Sequence, residues 1–94
     1  MRNEAAVKQA ITRELRRAGA WYTMPHQRGY SKPGVPDILI VYKGHFRAIE
    51  AKYNGNTPSA HQEQQMREIE DNQGDTMVLD ETNWMWIKRW LGQY

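Results

Sequence analysis

The spacing of apolar residues changes several times along the chain, and each change marks an element. Val7, Ile11, Leu15 and Ala18 recur at intervals of 4, 4 and 3 and form one stripe of a helix over residues 3 to about 18, with Asn3 as its cap and Gly19 as its stop. "AWYTMPHQ" is short, aromatic and β-prone, so it predicts a first strand, and "RGYSKPG" a loop. "DILIVYK" is almost wholly apolar and "HFRAIEAK" alternates, with "KG" or "GH" as the tight turn between them. That pattern predicts an antiparallel hairpin whose first strand is central and buried on both faces. After a second loop, "YNGNTPSA", Thr57 followed by Pro58 predicts a helix start. The helix runs to about Gln73, Gly74 stops it, and Met66 and Ile69 share a stripe with Gln62 and Gln73. "DTMVLD" is a last strand. "TNWMWIKRWLGQY" then predicts a helix with Trp84, Trp86, Ile87, Trp90 and Leu91 on a broad apolar arc.

The predicted order is helix, three strands, helix, strand, helix, in a single domain over residues 1–94 with no internal repeat. The last strand is expected to pair in parallel through the second helix, giving an α/β fold with a mixed sheet.

Composition narrows the function classes. The 94 residues contain no cysteine, which excludes a disulfide framework and a thiolate zinc site. The apolar runs are too short for a membrane span, and "MRNEAAVKQA" lacks the apolar stretch of a signal peptide, so a soluble intracellular protein is expected. A formal charge of +2 says little by itself, but its distribution is uneven. Lys8, Arg13, Arg16, Arg17, Arg28 and Lys32 crowd the first third, whereas "HQEQQMREIEDNQGD" holds five of the eleven acids. Such a segregation suits a phosphate-facing side and also an ordinary solvated helix face. Four tryptophans are many for so small a core. The last helix either presents them to a second copy or lays them over the sheet.

The hairpin carries the chemistry. Glu50 and Lys52 point to the same face of their strand, and a turn around Gly44 brings Glu50 near Ile38, immediately beside Asp37. Two carboxylates about 4 Å apart repel by roughly 4 kcal/mol at an effective dielectric near 20. A cation is needed there. Lys52 neutralises one acid, and a hard divalent ion such as Mg²⁺ serves better, since one or two carboxylates with waters and substrate phosphate complete its sphere. That set of groups suits phosphodiester hydrolysis, with Lys52 orienting or deprotonating the attacking water or offsetting transition-state charge. Glu4 heads the apolar stripe of the first helix, where a favourable first-turn acid is the simpler reading. Ser59 and Gln62 fit a capping box, although Gln62 also aligns with the stripe that faces the sheet. His45 and His61 lack ligand spacing.

"GVPDILIVYKGHFRAIEAK" followed by "TPSAHQEQQMREIEDNQG" resembles the VRR-NUC family, the virus-type replication and repair branch of the PD-(D/E)XK nucleases. The shared pattern is Gly-x-Pro-Asp, then Glu-x-Lys after a hairpin, then a glutamine opening the next helix, and the likeness runs from Glu4 to about Asp80. The resemblance implies a restriction-endonuclease-like core in the order α-β-β-β-α-β-α. It implies that Asp37 and Glu50, with the carbonyl of Ala51, bind Mg²⁺ (with Mn²⁺ as substitute), that Lys52 is the catalytic lysine, and that Gln62 and Glu4 belong to the site. Arg28, Tyr30 and Lys32, in the loop before Asp37, are expected to contact DNA. The activity implied is that of a structure-selective DNA endonuclease. A homodimeric Holliday-junction resolvase acting on branched DNA is the main form, and a flap or nicked-duplex nuclease or a non-cleaving DNA-binding module are the others. The cytoplasm of a bacterial cell or phage-infected host is the implied location, with no membrane association.

Overall fold

A computed structural model describes residues 1–25 and 32–92. The elements are α1 (Glu4–Ala18), β1 (Trp21–Thr23), β2 (Ile38–Tyr42), β3 (His45–Ala51), α2 (Ala60–Asp71), β4 (Asp75–Leu79) and α3 (Trp86–Leu91). The order is the one the apolar spacing predicts. The four strands lie in the order β1-β2-β3-β4, antiparallel at the first two junctions and parallel between β3 and β4. Among the described residues no helix is long and apolar enough to cross a membrane.

α1 begins where the Asn3 side chain accepts a hydrogen bond from the Ala6 N–H at 2.9 Å, and it ends at Gly19, whose φ of 75° is left-handed. Its stripe of Val7, Ile11 and Leu15 is fully buried and meets Ile38, Ile40, Ile49, Ala51 and Leu79 from the sheet, with Ile87, Trp90 and Leu91 from α3. On the other face α2 packs on β4 and reaches the end of β3 through the Gln62–Glu50 hydrogen bond. Consequently β2 is interior in the sheet but buried on one side: Ile38 and Ile40 are inaccessible, while Val41 is exposed. β3 is the strand enclosed on both faces, from Arg47 to Ala51. The continuous apolar run of β2 therefore does not mark burial on two faces, and Trp21, Val41 and Phe46, direct cross-strand neighbours, form an exposed apolar row.

Three boundaries differ from expectation for identifiable reasons. β1 is only three residues long. α2 is capped by Ser59 rather than Thr57, because Ser59 and Gln62 close a reciprocal capping box, leaving Pro58 outside the helix. α3 is six residues long. The residues before it are held in turns by Asp80, whose carboxylate accepts from the Thr82 N–H at 2.8 Å and the Thr82 hydroxyl at 2.6 Å, while its own N–H donates to Asn83 Oδ1 at 2.7 Å. Those Thr82 bonds hold the Asp80 carboxyl below the usual carboxylate range. Trp90 is buried and Trp84 half-buried against the core, so α3 lays part of its tryptophan arc over the sheet. Trp90 also stacks on the fully buried Arg47 guanidinium, 5.1 Å from ring centroid to Cζ.

Candidate metal centre

The turn between β2 and β3 is Lys43-Gly44, with φ of 50° and 81°. Positive φ at both central residues is the backbone of a type I′ turn, which fits the twist of the flanking strands and so fixes the register. The register pairs Ile38 with Ile49, one residue from the pairing expected, and this sets Asp37 directly opposite Glu50. The Ala51 N–H donates to Asp37 Oδ2 at 2.9 Å, tying the acid at the start of β2 to the end of β3.

α1 brings the third acid. Glu4, Asp37 and Glu50 each present a carboxylate oxygen within 4.8 Å of the others. Lys52 and Lys8 oppose them: Lys52 Nζ lies 3.2 Å from Glu50 Oε2, and Lys8 Nζ lies 3.4 Å from Asp37 Oδ1. Among the described residues, three acids against two ammoniums leave one negative charge over when all are ionised. Glu50 absorbs the imbalance. Its carboxyl is pushed up from 4.5 to about 7, first by burial and then by the neighbouring Asp37 charge, with Lys52 only partly opposing.

Gln62 fills both of the roles its position suggests. Its Oε1 accepts from the Ser59 N–H at 2.8 Å and closes the cap of α2, and its Nε2 donates to Glu50 Oε2 at 2.9 Å. Glu50 Oε2 is thus held by Lys52 and Gln62, whereas among the described residues no donor group reaches the buried Glu50 Oε1; a hydrogen bond between the Glu50 and Asp37 carboxyls forms only when one of the two acids carries a proton. A buried carboxylate oxygen with an open lone pair, beside two further acids, fits a hard divalent cation: twice a Mg²⁺–oxygen distance of about 2.1 Å is close to the spread of these oxygens.

The structure brings together Glu4, Asp37, Glu50, Lys52 and Gln62, and Ala51 lies between Glu50 and Lys52 with its N–H committed to Asp37. It does not bring in Lys32. That side chain lines a cavity of about 570 Å³ with Gly44, His45, Phe46 and Gln65, toward the hairpin-turn end of β3 rather than the acid end. Arg28 and Tyr30 lie outside the described residues. His45 and His61 are exposed and take no part in the acid cluster.

Sequence reasoning passed over two residues. Lys8 follows Glu4 by one helical turn, the i,i+4 spacing that places both on one face, and that spacing was the available signal. Gly34 has φ of 81°, and a Cβ there would lie 2.4 Å from the His61 carbonyl carbon and 2.7 Å from the Gln62 nitrogen. The glycine of Gly-x-Pro-Asp is the close-approach point between the loop that leads to Asp37 and the first turn of α2.

No protein-family model and no curated protein matches the chain by sequence. A solved structure described as "VRR_NUC domain" superposes on it with a TM-score of 0.73, covering 97% of this chain and 96% of that one at 17% identity. This chain has the VRR-NUC fold. Within the VRR-NUC fold, the mixed four-stranded sheet and flanking helices are those its own hairpin and caps dictate, and the acid cluster sits where β2 begins and β3 ends.

Proposed function

We propose that this chain is a divalent-metal-dependent DNA endonuclease that acts on branched DNA as a homodimer, as a Holliday-junction resolvase does. The observation that carries the reading is the convergence of Glu4, Asp37 and Glu50 beside Lys52, with Glu50 Oε1 left open. The VRR-NUC likeness supports it.

Asp37 and Glu50 would hold Mg²⁺ or Mn²⁺, with Glu4 and the Ala51 carbonyl completing the protein donors. When bound, the ion lowers the pKa of its water and neutralises charge on the phosphoryl oxygens. The chain's own groups do the rest. Gln62 fixes the Glu50 carboxylate in rotation. Lys52, set on the Glu50 side of the cluster, orients the attacking water and offsets the charge that develops on the phosphate. Arg28 and Tyr30, in the loop before Asp37, would contact the DNA strand, whereas Lys32, beside α2 at the hairpin-turn end, is left out of this role. Two copies related by a two-fold axis supply the paired cuts that a symmetric junction requires.

The test offers purified protein four-way junctions, flaps, nicked duplex and plain duplex with Mg²⁺ or Mn²⁺ or with EDTA. Metal-dependent cutting of the four-way junction by a protein that sediments as a dimer is expected. Asp37→Asn should lower turnover on the order of 10³-fold, a loss of about 4 kcal/mol, with junction binding intact. Lys52→Ala should cost roughly 10²- to 10⁴-fold at unchanged metal affinity. Full activity in Asp37→Asn, or in EDTA, sinks the reading.

A further inference from the structure

The overall charge of +2 hides a division of charge between the two faces of the sheet. α2 carries four acids, Glu63, Glu68, Glu70 and Asp71, against one base, Arg67, all exposed. α1 and α3, packed against each other on the opposite face, show the reverse. Setting aside Glu4 and Lys8, which belong to the acid cluster, these two helices carry Arg13, Arg16, Arg17, Lys88 and Arg89 against a single acid, Glu14.

Glu14 does not discharge this face. It is buried at the seam, with Arg17 Nη1 at 2.8 Å and Lys88 Nζ at 3.9 Å, so two cations share one carboxylate and both side chains stay more than half exposed. Arg16 Nη1 donates to the Tyr22 hydroxyl, a neutral partner, at 2.9 Å. Arg89 lies over the ring of Trp86, itself 52% exposed, with 5.4 Å from Cζ to centroid, which stiffens an exposed guanidinium beside a flat apolar surface. The result is a face of two packed helices with a net excess of about four positive charges, two of its cations held at the seam by Glu14 and an exposed aromatic at one side.

The face has a direction. Glu4 stands in the acid cluster and Arg17 is thirteen residues further along the same helix, roughly 20 Å at the helical rise of about 1.5 Å per residue. One strand of a duplex advances about 3.4 Å per phosphate, so that length matches some six base pairs. Resting on the nuclease reading above, we propose that the α1–α3 face binds the backbone of the duplex arm that leads away from the cleaved phosphate, over about six base pairs, and that the α2 face stays clear of DNA. The chemistry it recognises is regularly spaced phosphate, with no base-specific contact.

The test measures binding in EDTA, where no cutting is needed, as a function of salt. It compares branched DNA with an arm of about 14 base pairs and the same branch with arms of about 4. The triple variant Arg13→Ala, Lys88→Ala, Arg89→Ala changes only exposed side chains, and Arg67→Ala on α2 is the control. On the long arm the triple variant should reduce the slope of log affinity against log salt by about 2.7, roughly 0.9 for each lost phosphate contact. On the short arm the slope should hardly change, and Arg67→Ala should match the parent on both. An unaltered slope on the long arm, or an equal fall on both arms, overturns the proposal. Cutting that depends on Asp37 together with unaltered slopes would refute this inference alone. A reduced long-arm slope in a protein that never cuts would refute the nuclease reading alone.

Discussion

Glu50→Gln should stabilise the metal-free protein at pH 8 by roughly 2 to 3 kcal/mol while abolishing cleavage and the stabilisation that Mg²⁺ gives the parent. Glu50 is 1% exposed, and its carboxyl titrates near 7 because burial disfavours the charged form and Asp37 adds to the cost. A folded-state pKa above the unfolded one means that the folded protein binds the proton more tightly. Below about 4.5 both states carry the proton and nothing is lost. As pH rises toward 7 the unfolded chain ionises at no penalty, so stability drains away, and the whole deficit is present above 7. A rise from 4.5 to about 7 corresponds to roughly 3 kcal/mol at 1.36 kcal/mol per unit. Glutamine is neutral at every pH and can still accept from Lys52, so it recovers most of this at pH 8 and gains nothing near pH 4. In a domain of this size that corresponds to a rise in Tm of about 10 °C. Urea unfolding at pH 8 and pH 4, each with EDTA or Mg²⁺, checks the claim. A variant less stable than the parent at pH 8 without metal would show that Glu50 is already well compensated.

Gly34→Ala should destabilise the fold by about 3 to 5 kcal/mol, combining left-handed backbone strain with a steric conflict. The residue has φ of 81°, and its new methyl would meet backbone, with the His61 carbonyl oxygen at 2.6 Å and the Gln62 nitrogen at 2.7 Å. A flexible side chain could swing aside, but the first turn of α2 cannot move without drawing Gln62 away from Glu50. Cleavage should therefore fall together with stability. Gly44 separates the two contributions: it has the same φ of 81° but nothing within 4 Å of an added Cβ. Gly44→Ala should cost only about 1 to 2 kcal/mol, the backbone part alone. Equal losses in the two variants, read from urea midpoints, would remove the close approach from the argument.

How much of this could be read from the chain depended on how local the deciding interaction is. The hairpin and the Glu50 and Lys52 face follow from alternation and a two-residue turn, both local. The start of α2 is harder to read because Thr57-Pro58 and Ser59-x-x-Gln62 are competing start signals two residues apart, and the reciprocal hydrogen bonds of Ser59 and Gln62 decide between them. The start of α3 is hidden in the sequence because Trp84 extends the apolar arc of Trp86 and Trp90 back through residues that the Asp80, Thr82 and Asn83 hydrogen bonds hold in turns. The two-sided burial expected of β2 failed because α2 packs on β4 and reaches the end of β3, a matter of tertiary coverage that no run of apolar letters encodes. Lys8 was passed over for a related reason. A lysine on an amphipathic helix reads as solvated until the strand end that carries Asp37 is known to meet it.

Gln62 does two things with one amide, closing the α2 cap through Oε1 and holding Glu50 through Nε2, so its orientation is set from both ends. Fraying of the first turn of α2 and loosening of the acid cluster are thereby the same event. Amide hydrogen exchange makes this visible: the N–H groups of Gln62 and Glu63, bonded to Ser59 Oγ and the Ser59 carbonyl, should slow in step with Mg²⁺ titration, while the far end of the helix exchanges as before. A protection pattern spread evenly along α2 would mean that cap and centre open independently.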